Sequence, residues 1–203
     1  MIEEDFKSRE KHYVMVIDLK KCIGCHACTI ACKVENRLQQ ALRTWVEEYE
    51  IGRFPEVSRY FLPRLCNQCE NPLCTKVCPV KATYKRADGI VVIEKETCIG
   101  CGRCVKACPY KARYLDKNTE KADKCTFCNH RIDRGLLPAC VESCVGHARL
   151  FGDINNTHSE VYKIIKGTRT QVLKEYLNTK PRVFYIGLVD TERWCNHAKK
   201  SSR

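Results

Sequence analysis

"CIGCHACTIACK", residues 22–33, places four cysteines within eleven residues, a density that apolar packing alone does not call for. The run is one of four. Cys22, Cys25, Cys28 and Cys32 are followed by Cys66, Cys69, Cys74 and Cys78, then by Cys98, Cys101, Cys104 and Cys108, and last by Cys125, Cys128, Cys140 and Cys144. Of 17 cysteines in 203 residues, only Cys195 stands outside these groups.

Three chemistries use thiols at this density: disulfides, zinc and iron-sulfur clusters. The odd cysteine count speaks against a secreted disulfide scaffold, as does an N-terminus, "MIEEDFKSREKHYVMVIDL", that has neither a hydrophobic signal core nor a twin-arginine pair. Zinc takes two closely spaced ligands from one segment and two from another to close a tetrahedron. Read alone, "CTFC" and "CVESC", eleven residues apart, fit that pattern. "CIGCHAC" and "CIGCGRC" do not, because three cysteines at two-residue intervals wrap the chain around one centre. Three sulfurs then reach three iron corners of a cube, and the fourth ligand arrives from elsewhere. This is the bacterial ferredoxin run C-x2-C-x2-C-x3-C-P, whose last cysteine serves the other cluster of a pair. Residues 98–109, "CIGCGRCVKACP", match it at every position. Gly24, Gly100 and Gly102 let the backbone pass close to inorganic sulfur and adopt positive φ. Pro79 and Pro109 follow the last cysteines of the second and third groups, where a fixed φ suits the end of a short helix.

Composition agrees with metal-dependent folding. Aromatic residues make up only 8% of the chain, and the 44% apolar content includes the cysteines, so bulk for a conventional core is scarce. The formal charge of +12 would suggest nucleic acid or an acidic surface as a partner. A cubane held by four thiolates nets about −2, however, and four of them leave roughly +4. No basic stripe with interleaved aromatics stands out, so nucleic-acid binding is not expected. The longest apolar candidate for a span, "VFYIGLV" at 183–189, is strand-sized. The expectation is cytoplasmic synthesis and cofactor loading, no span of its own, and membrane association through partners, on the cytoplasmic face or exported with a signal-bearing partner.

The chain also repeats itself: "VIDLKKCIGCHAC" at 16–28 and "VIEKETCIGCGRC" at 92–104 share a strand, an acidic residue, a spacer and a ligand run. Two such units imply two ferredoxin-like halves, each binding two clusters. The intervals between groups permit consecutive or nested pairing, and the prolines favour nesting. Only the second and third groups end in Cys-Pro, whereas the first ends in Cys32-Lys33 and the fourth in Cys144-Val145. The sets read in this way are Cys22, Cys25, Cys28 with Cys144; Cys125, Cys128, Cys140 with Cys32; Cys66, Cys69, Cys74 with Cys108; and Cys98, Cys101, Cys104 with Cys78.

The expected fold is α+β. Strands are predicted at 13–18 and in "ARLFGD", a helix over 29–40, a hairpin over 84–95 turning at Asp88-Gly89, and a helix in "HSEVYKIIKG" with Ser159 as cap and Gly167 at its end. "PRVFYIGLV" gives a last strand. The organisation is nested: 1–40 with 119–168 form an outer two-cluster module, 41–63 a β insertion, 64–118 an inner two-cluster module, and 169–203 an extension and tail.

The order of the groups, with "CNQCENPLCTKVCP" and "CTFCNHRIDRGLLPACVESC" as the second and fourth, resembles the four-cluster electron-transfer subunits of the molybdopterin oxidoreductases over about Tyr13 to Leu188. The compact length and the "PRVFYIGL" ending look most like the polysulfide and thiosulfate branch. The resemblance implies four [4Fe-4S] clusters in a row between a molybdenum or tungsten bis-pterin catalytic subunit and, usually, a membrane subunit handling quinone. It implies the nested pairing as well, with the Cys22, Cys25, Cys28 and Cys144 cluster facing the catalytic subunit and the Cys98, Cys101, Cys104 and Cys78 cluster nearest the membrane side. Cys101 stands where some relatives carry tryptophan and a three-iron cluster, so four cubanes are expected. Val145 replaces the usual proline. A subunit serving a hydrogenase or a formate-oxidising complex is the alternative reading, and a zinc-stabilised interaction module a more distant one.

No acid, base or nucleophile of a catalytic constellation is visible, and no catalytic residue is assigned. His26 and His130 beside the ligand runs read as surface or supporting residues, and Cys195 as a free or partly buried thiol. Lys21, Lys33, Arg103 and Lys106 either bias the clusters and contact partners or form a solvated face.

Overall fold

The computed structural model describes residues 11–188. Its organising strand is β1 (Tyr13–Asp18), which lies between β8 (Arg149–Asp153, antiparallel) and β9 (Val183–Ile186, parallel). Val14, Met15, Val16 and Ile17 are all fully buried, which explains why "VMVI" reads as an unbroken apolar run rather than an alternating one. Met15 and Ile17 face the main core. Val14 and Val16 face a smaller cluster that includes Val161, Ile164 and Ile165 of α6 (Glu160–Gly167). Ser159 caps α6 as its sequence suggests, accepting a hydrogen bond from the Tyr162 amide at 3.2 Å.

The expected helix after the first cysteine group is shorter than its polarity pattern implies. Helix α1 covers Ala27–Glu35 and stops at Asn36, whose side-chain amide (2.9 Å) and backbone amide (3.1 Å) both donate to the Cys32 carbonyl. Arg43 holds that amide in place by donating to Asn36 Oδ1 at 2.7 Å. A hairpin of two ten-residue strands follows, β2 (Thr44–Arg53) and β3 (Glu56–Leu65), in antiparallel register from Thr44↔Leu65 to Arg53↔Glu56. Its base joins the core. Tyr185 in β9 donates to the Pro63 carbonyl at 3.0 Å, and Leu62 and Leu65 are buried.

Between the hairpin and β8 the chain alternates one-turn helices with three-residue strands. These are α2 (Leu73–Lys76), β4 (Thr83–Lys85), β5 (Val91–Ile93), α3 (Arg103–Lys106), β6 (Arg113–Leu115), β7 (Ala122–Lys124), α4 (Asn129–Ile132) and α5 (Ala139–Glu142). β4 and β5 form the expected hairpin, with Gly89 at φ 84° in its turn and the Ile90 amide donating to Asp88 Oδ1. β6 pairs with β7 in a second small hairpin that the sequence reading does not include.

Because β1 has both faces covered, truncating it removes packing that no neighbour replaces. Ile17→Ala is expected to destabilise the protein by about 2–5 kcal/mol, as large-to-small changes in a closed core do. Anaerobic denaturant unfolding of both proteins checks this.

Candidate metal centres

The four C-x2-C turns share one backbone device. The residue before the second cysteine has positive φ in each: Gly24 (70°), Gln68 (45°), Gly100 (66°) and Phe127 (54°). At Gly24 a side chain would meet the Phe61 ring at 2.3 Å, and at Gly100 it would meet the Glu120 carbonyl oxygen at 2.2 Å. Glycine is required at both.

Strand pairing then brings distant groups together. In the β1–β8 ladder Ile17 lies opposite Arg149, and Cys22 and Cys144 stand equally far along the chain from that pair. In the β4–β5 hairpin Thr83 lies opposite Ile93, and Cys78 and Cys98 are related to it in the same way. Cys22, Cys25, Cys28 and Cys144 line one cavity. Cys78, Cys98, Cys101 and Cys104 line a second, and Cys66, Cys69, Cys74 and Cys108 a third. The remaining four gather deeper in the fold. Cys125 has Cys32, Cys140 and Cys128 as neighbours, and the Asn36 amide reaches both Cys32 Sγ (3.6 Å) and Cys128 Sγ (3.9 Å).

Burial is the first influence on these thiols. It pushes Cys32 and Cys69 up to about 12, and raises Cys74, Cys108, Cys125 and Cys140 as well. Neighbouring sulfurs add to the effect at Cys32, Cys69 and Cys125. Left to themselves these groups hold their protons, and becoming thiolates requires a cation of comparable strength in their midst.

Three buried cations complete the setting, none of which the sequence reading singles out. Arg149 (2% exposed) donates to Thr44 Oγ1 at 2.9 Å and lies beside Cys140, Cys28 and Cys144. Arg113 (4%) donates to Thr83 Oγ1 at 2.8 Å, leaves Nη1 without a partner, and lies beside Cys74, Cys66 and Cys104. Lys124 (0%) donates to the Val91 and Cys125 carbonyls and lies beside Cys66, Cys125 and Cys74. Each has thiols and not carboxylates as its neighbours of opposite sign. Half-buried Arg43, by contrast, is matched by Asp123 at 2.9 Å. Anionic iron-sulfur clusters held by the surrounding cysteines answer this excess of positive charge, so the donor set fits the group. Among the described residues no group of three or more His, Cys, Asp or Glu side chains is arranged to hold a single metal ion.

The signal for the two arginines was present in the chain. Both stand five positions after the last cysteine of a group, in "CPYKAR" and "CVGHAR", and "CPVKAT" puts Thr83 at the same place. The cations named from the sequence lie elsewhere: Lys21, Arg103 and Lys106 are exposed and Lys33 is half-buried. His26 pairs with Glu48 at 3.0 Å and His130 with Glu35 at 2.7 Å, both near the surface. Cys195 lies outside the described residues.

Comparison with known proteins agrees with this chemistry. Two families, each described as a 4Fe-4S dicluster domain, match residues 21–82 and 57–154. A tetrathionate reductase subunit from Salmonella typhimurium is 52% identical over 188 residues, spanning 90% of this chain and 75% of that protein. A selenate reductase subunit from Mesobacillus selenatarsenatis is 44% identical over 212 residues (87% and 72%). A polysulfide reductase chain from Wolinella succinogenes is 42% identical over 180 residues (87% and 94%). The protein belongs to the iron-sulfur subunit family of the molybdopterin oxidoreductases. As a member of this family it is an electron-transport protein with two ferredoxin-like dicluster domains of mixed helix and strand, and its cofactors are four [4Fe-4S] clusters. No helix among the described residues is long and apolar enough to cross a membrane.

Anaerobically prepared protein is expected to carry about sixteen irons, with matching sulfide and no stoichiometric zinc. Destroying the clusters with air or a strong chelator should abolish the cooperative thermal transition as well as the colour, because the buried cations then lose their counter-charge. Calorimetry of the two forms measures this.

Proposed function

We propose that the chain relays single electrons along its four clusters, between a molybdopterin catalytic subunit and a second redox partner, a membrane quinone-reactive subunit in the favoured arrangement. Four sets act as the ligand quartets, three of them lining cavities and one gathered deeper in the fold: Cys22, Cys25, Cys28 and Cys144; Cys125, Cys128, Cys140 and Cys32; Cys66, Cys69, Cys74 and Cys108; and Cys98, Cys101, Cys104 and Cys78. The β1–β8 ladder supports a nested organisation, since it joins the segment before the first group to the segment after the fourth.

Neighbour relations among the sulfurs support one order for the relay. Arg149 touches the first and second sets, Cys125 of the second lies beside Cys66 of the third, and Arg113 borders both the third and the fourth. The observation that carries the reading is the distribution of exposure along that order. Among the described cysteines only Cys25 and Cys101 are exposed, one in each terminal set. Each has an exposed isoleucine close by in its turn, Ile23 (60%) and Ile99 (63%). The two middle sets are held mostly inside. A relay needs this profile: contact with partners at both ends and shielding between them. The clusters supply one-electron steps, and the chain supplies their spacing, their insulation and the docking surfaces.

The relatives point to the class of acceptor. Their names give tetrathionate, selenate and polysulfide as substrates of the complexes they serve, and identity is higher with the tetrathionate relative than with the polysulfide one (52% against 42%). The complex is therefore assigned to anaerobic respiration of a sulfur compound or a comparable oxyanion. It is membrane-associated through its partners.

Two measurements test these assignments. Cys144→Ser should alter the spectroscopic signature of the cluster held by Cys22, Cys25 and Cys28 and leave that of Cys125, Cys128 and Cys140 unchanged; the opposite result removes the nested pairing. Affinity purification under strict anaerobiosis should bring down a large pterin-containing protein. A hydrogenase or formate-oxidising partner lacking one would overturn the reductase assignment.

A further inference from the structure

Arg149 and Arg113 occupy equivalent places in the two halves of the chain. Each begins a strand that follows a Cys-x4 segment, β8 in one case and β6 in the other. The anchoring is the same too. Arg149 Nη2 donates to Thr44 Oγ1, whose hydroxyl is committed to the Arg64 carbonyl at 2.7 Å. Arg113 Nη2 donates to Thr83 Oγ1, whose hydroxyl is committed to the Val92 carbonyl at 2.9 Å. A threonine that has already spent its proton presents a lone pair, so it fixes the guanidinium without neutralising it. Beyond that anchor, Arg149 Nη1 reaches the neutral Met15 thioether at 3.9 Å, and Arg113 Nη1 has no hydrogen-bond partner. Arg149 lies beside Cys28 and Cys144 of one quartet and Cys140 of the next. Arg113 lines the third and fourth cavities together.

A merely structural arginine in so dry a place would be expected to carry a carboxylate, as Arg43 carries Asp123 through three hydrogen bonds of 2.9–3.1 Å. Here the chain has gone to the length of burying a permanent charge and holding it with a neutral group. Resting on the quartets assigned above, we infer that Arg149 and Arg113 are positioning charges shared between two clusters each. Arg149 serves the first and second, and Arg113 the third and fourth, and each raises the reduction potential of both its neighbours together. A charge placed between two redox centres stabilises an added electron on either one, so it lifts both levels without tilting the step between them. It also offsets the repulsion between electrons on adjacent clusters, which lets both be reduced at once. Guanidinium suits this task because it stays protonated throughout the accessible pH range, so neither junction acquires a pH dependence from it. In a low-dielectric interior a unit charge at contact range is not screened away.

The test is an anaerobic redox titration of the full holo-protein, followed by electron paramagnetic resonance, with signals assigned beforehand from single Cys→Ser variants of each quartet. Arg113→Met removes the charge and keeps an unbranched side chain; Arg113→Lys keeps the charge. In the Met variant with full iron content, the reduction equilibria of the third and fourth clusters should both fall at least tenfold, about 59 mV for one electron. The first and second should stay close to their original values, and the Lys variant should recover most of the shift. Arg149→Met should do the reverse, moving the first and second clusters. Unmoved potentials at full iron content would overturn the inference. So would a shift confined to one neighbour, or a Lys variant displaced as far as the Met variant. Should the Met variant fail to load, loading of the Lys variant with near-original potentials supports the role of charge, and failure of both assigns the position to packing. A wild-type iron content well below about sixteen is a different result, which would defeat the quartet assignment itself.

Discussion

Two guanidinium groups and an ammonium group sealed from solvent among thiols set the terms for the rest of this molecule. Burying such charges is unfavourable unless anions surround them, and the nearest groups able to become anionic are cysteines, of which burial keeps Cys125, Cys140 and Cys74 protonated. Neither half of the arrangement is stable without the other, and neither is completed by protein atoms alone. Iron resolves both problems at once by turning the thiols into thiolates and giving the cations a partner. Cluster loading and folding are thereby one process, in keeping with a chain whose aromatic content is only 8%.

The seam between the two halves shows how closely the polypeptide is drawn around this chemistry. Gln68, fully buried, donates to the Cys125 carbonyl at 2.8 Å and accepts from the Val91 amide at 2.9 Å. Lys124 donates to the carbonyls of the same two residues. The second and fourth cysteine groups are thus stitched together by two buried side chains that reach backbone groups. Gln68 and Phe127 occupy left-handed positions that glycine fills in the other two C-x2-C turns. The strain of order 1–2 kcal/mol at each is offset by what their side chains do. One completes the seam, and the other packs edge-on against Phe151 at 5.3 Å. The terminal turns have no room for a side chain at Gly24 and Gly100.

Much of this was legible in the chain, and the boundary of legibility has a physical cause. Cysteine spacing announces its chemistry because cluster ligation constrains positions along one segment, and strand β1 announces itself because both its faces are apolar. The turn at Asp88-Gly89 and the cap at Ser159 are local events written in local residues. By contrast, the end of α1 depends on Asn36 being held by Arg43, and the sequence around it continues to look helical. The β6–β7 hairpin is too short for any period to register. The buried cations were missed because a lysine or arginine is presumed to face water, and in "CPYKAR" the exposed Lys111 and the buried Arg113 stand two residues apart with nothing in composition to separate them. Comparing the segments after the second, third and fourth groups would have separated them, since alanine and then arginine or threonine recur at the same offsets.

In the proposed relay the charges are unequal, and the inequality follows from what each junction must do. Within a half, a guanidinium reaches sulfurs of two quartets while a threonine fixes it. Between the halves, the cation is a lysine whose ammonium is spent on two carbonyls that already belong to the seam. In the proposed arrangement Lys124 serves two ends at once, bonding the Val91 and Cys125 carbonyls and supplying positive charge between the second and third quartets. In the proposed arrangement this contact sets the spacing of the second and third clusters. Electron transfer depends steeply on distance, whereas a lower charge density alters only the level of a step. At this junction the protein has favoured closeness, and it places its bulkier fixed charges where the fold of a single module already secures the spacing.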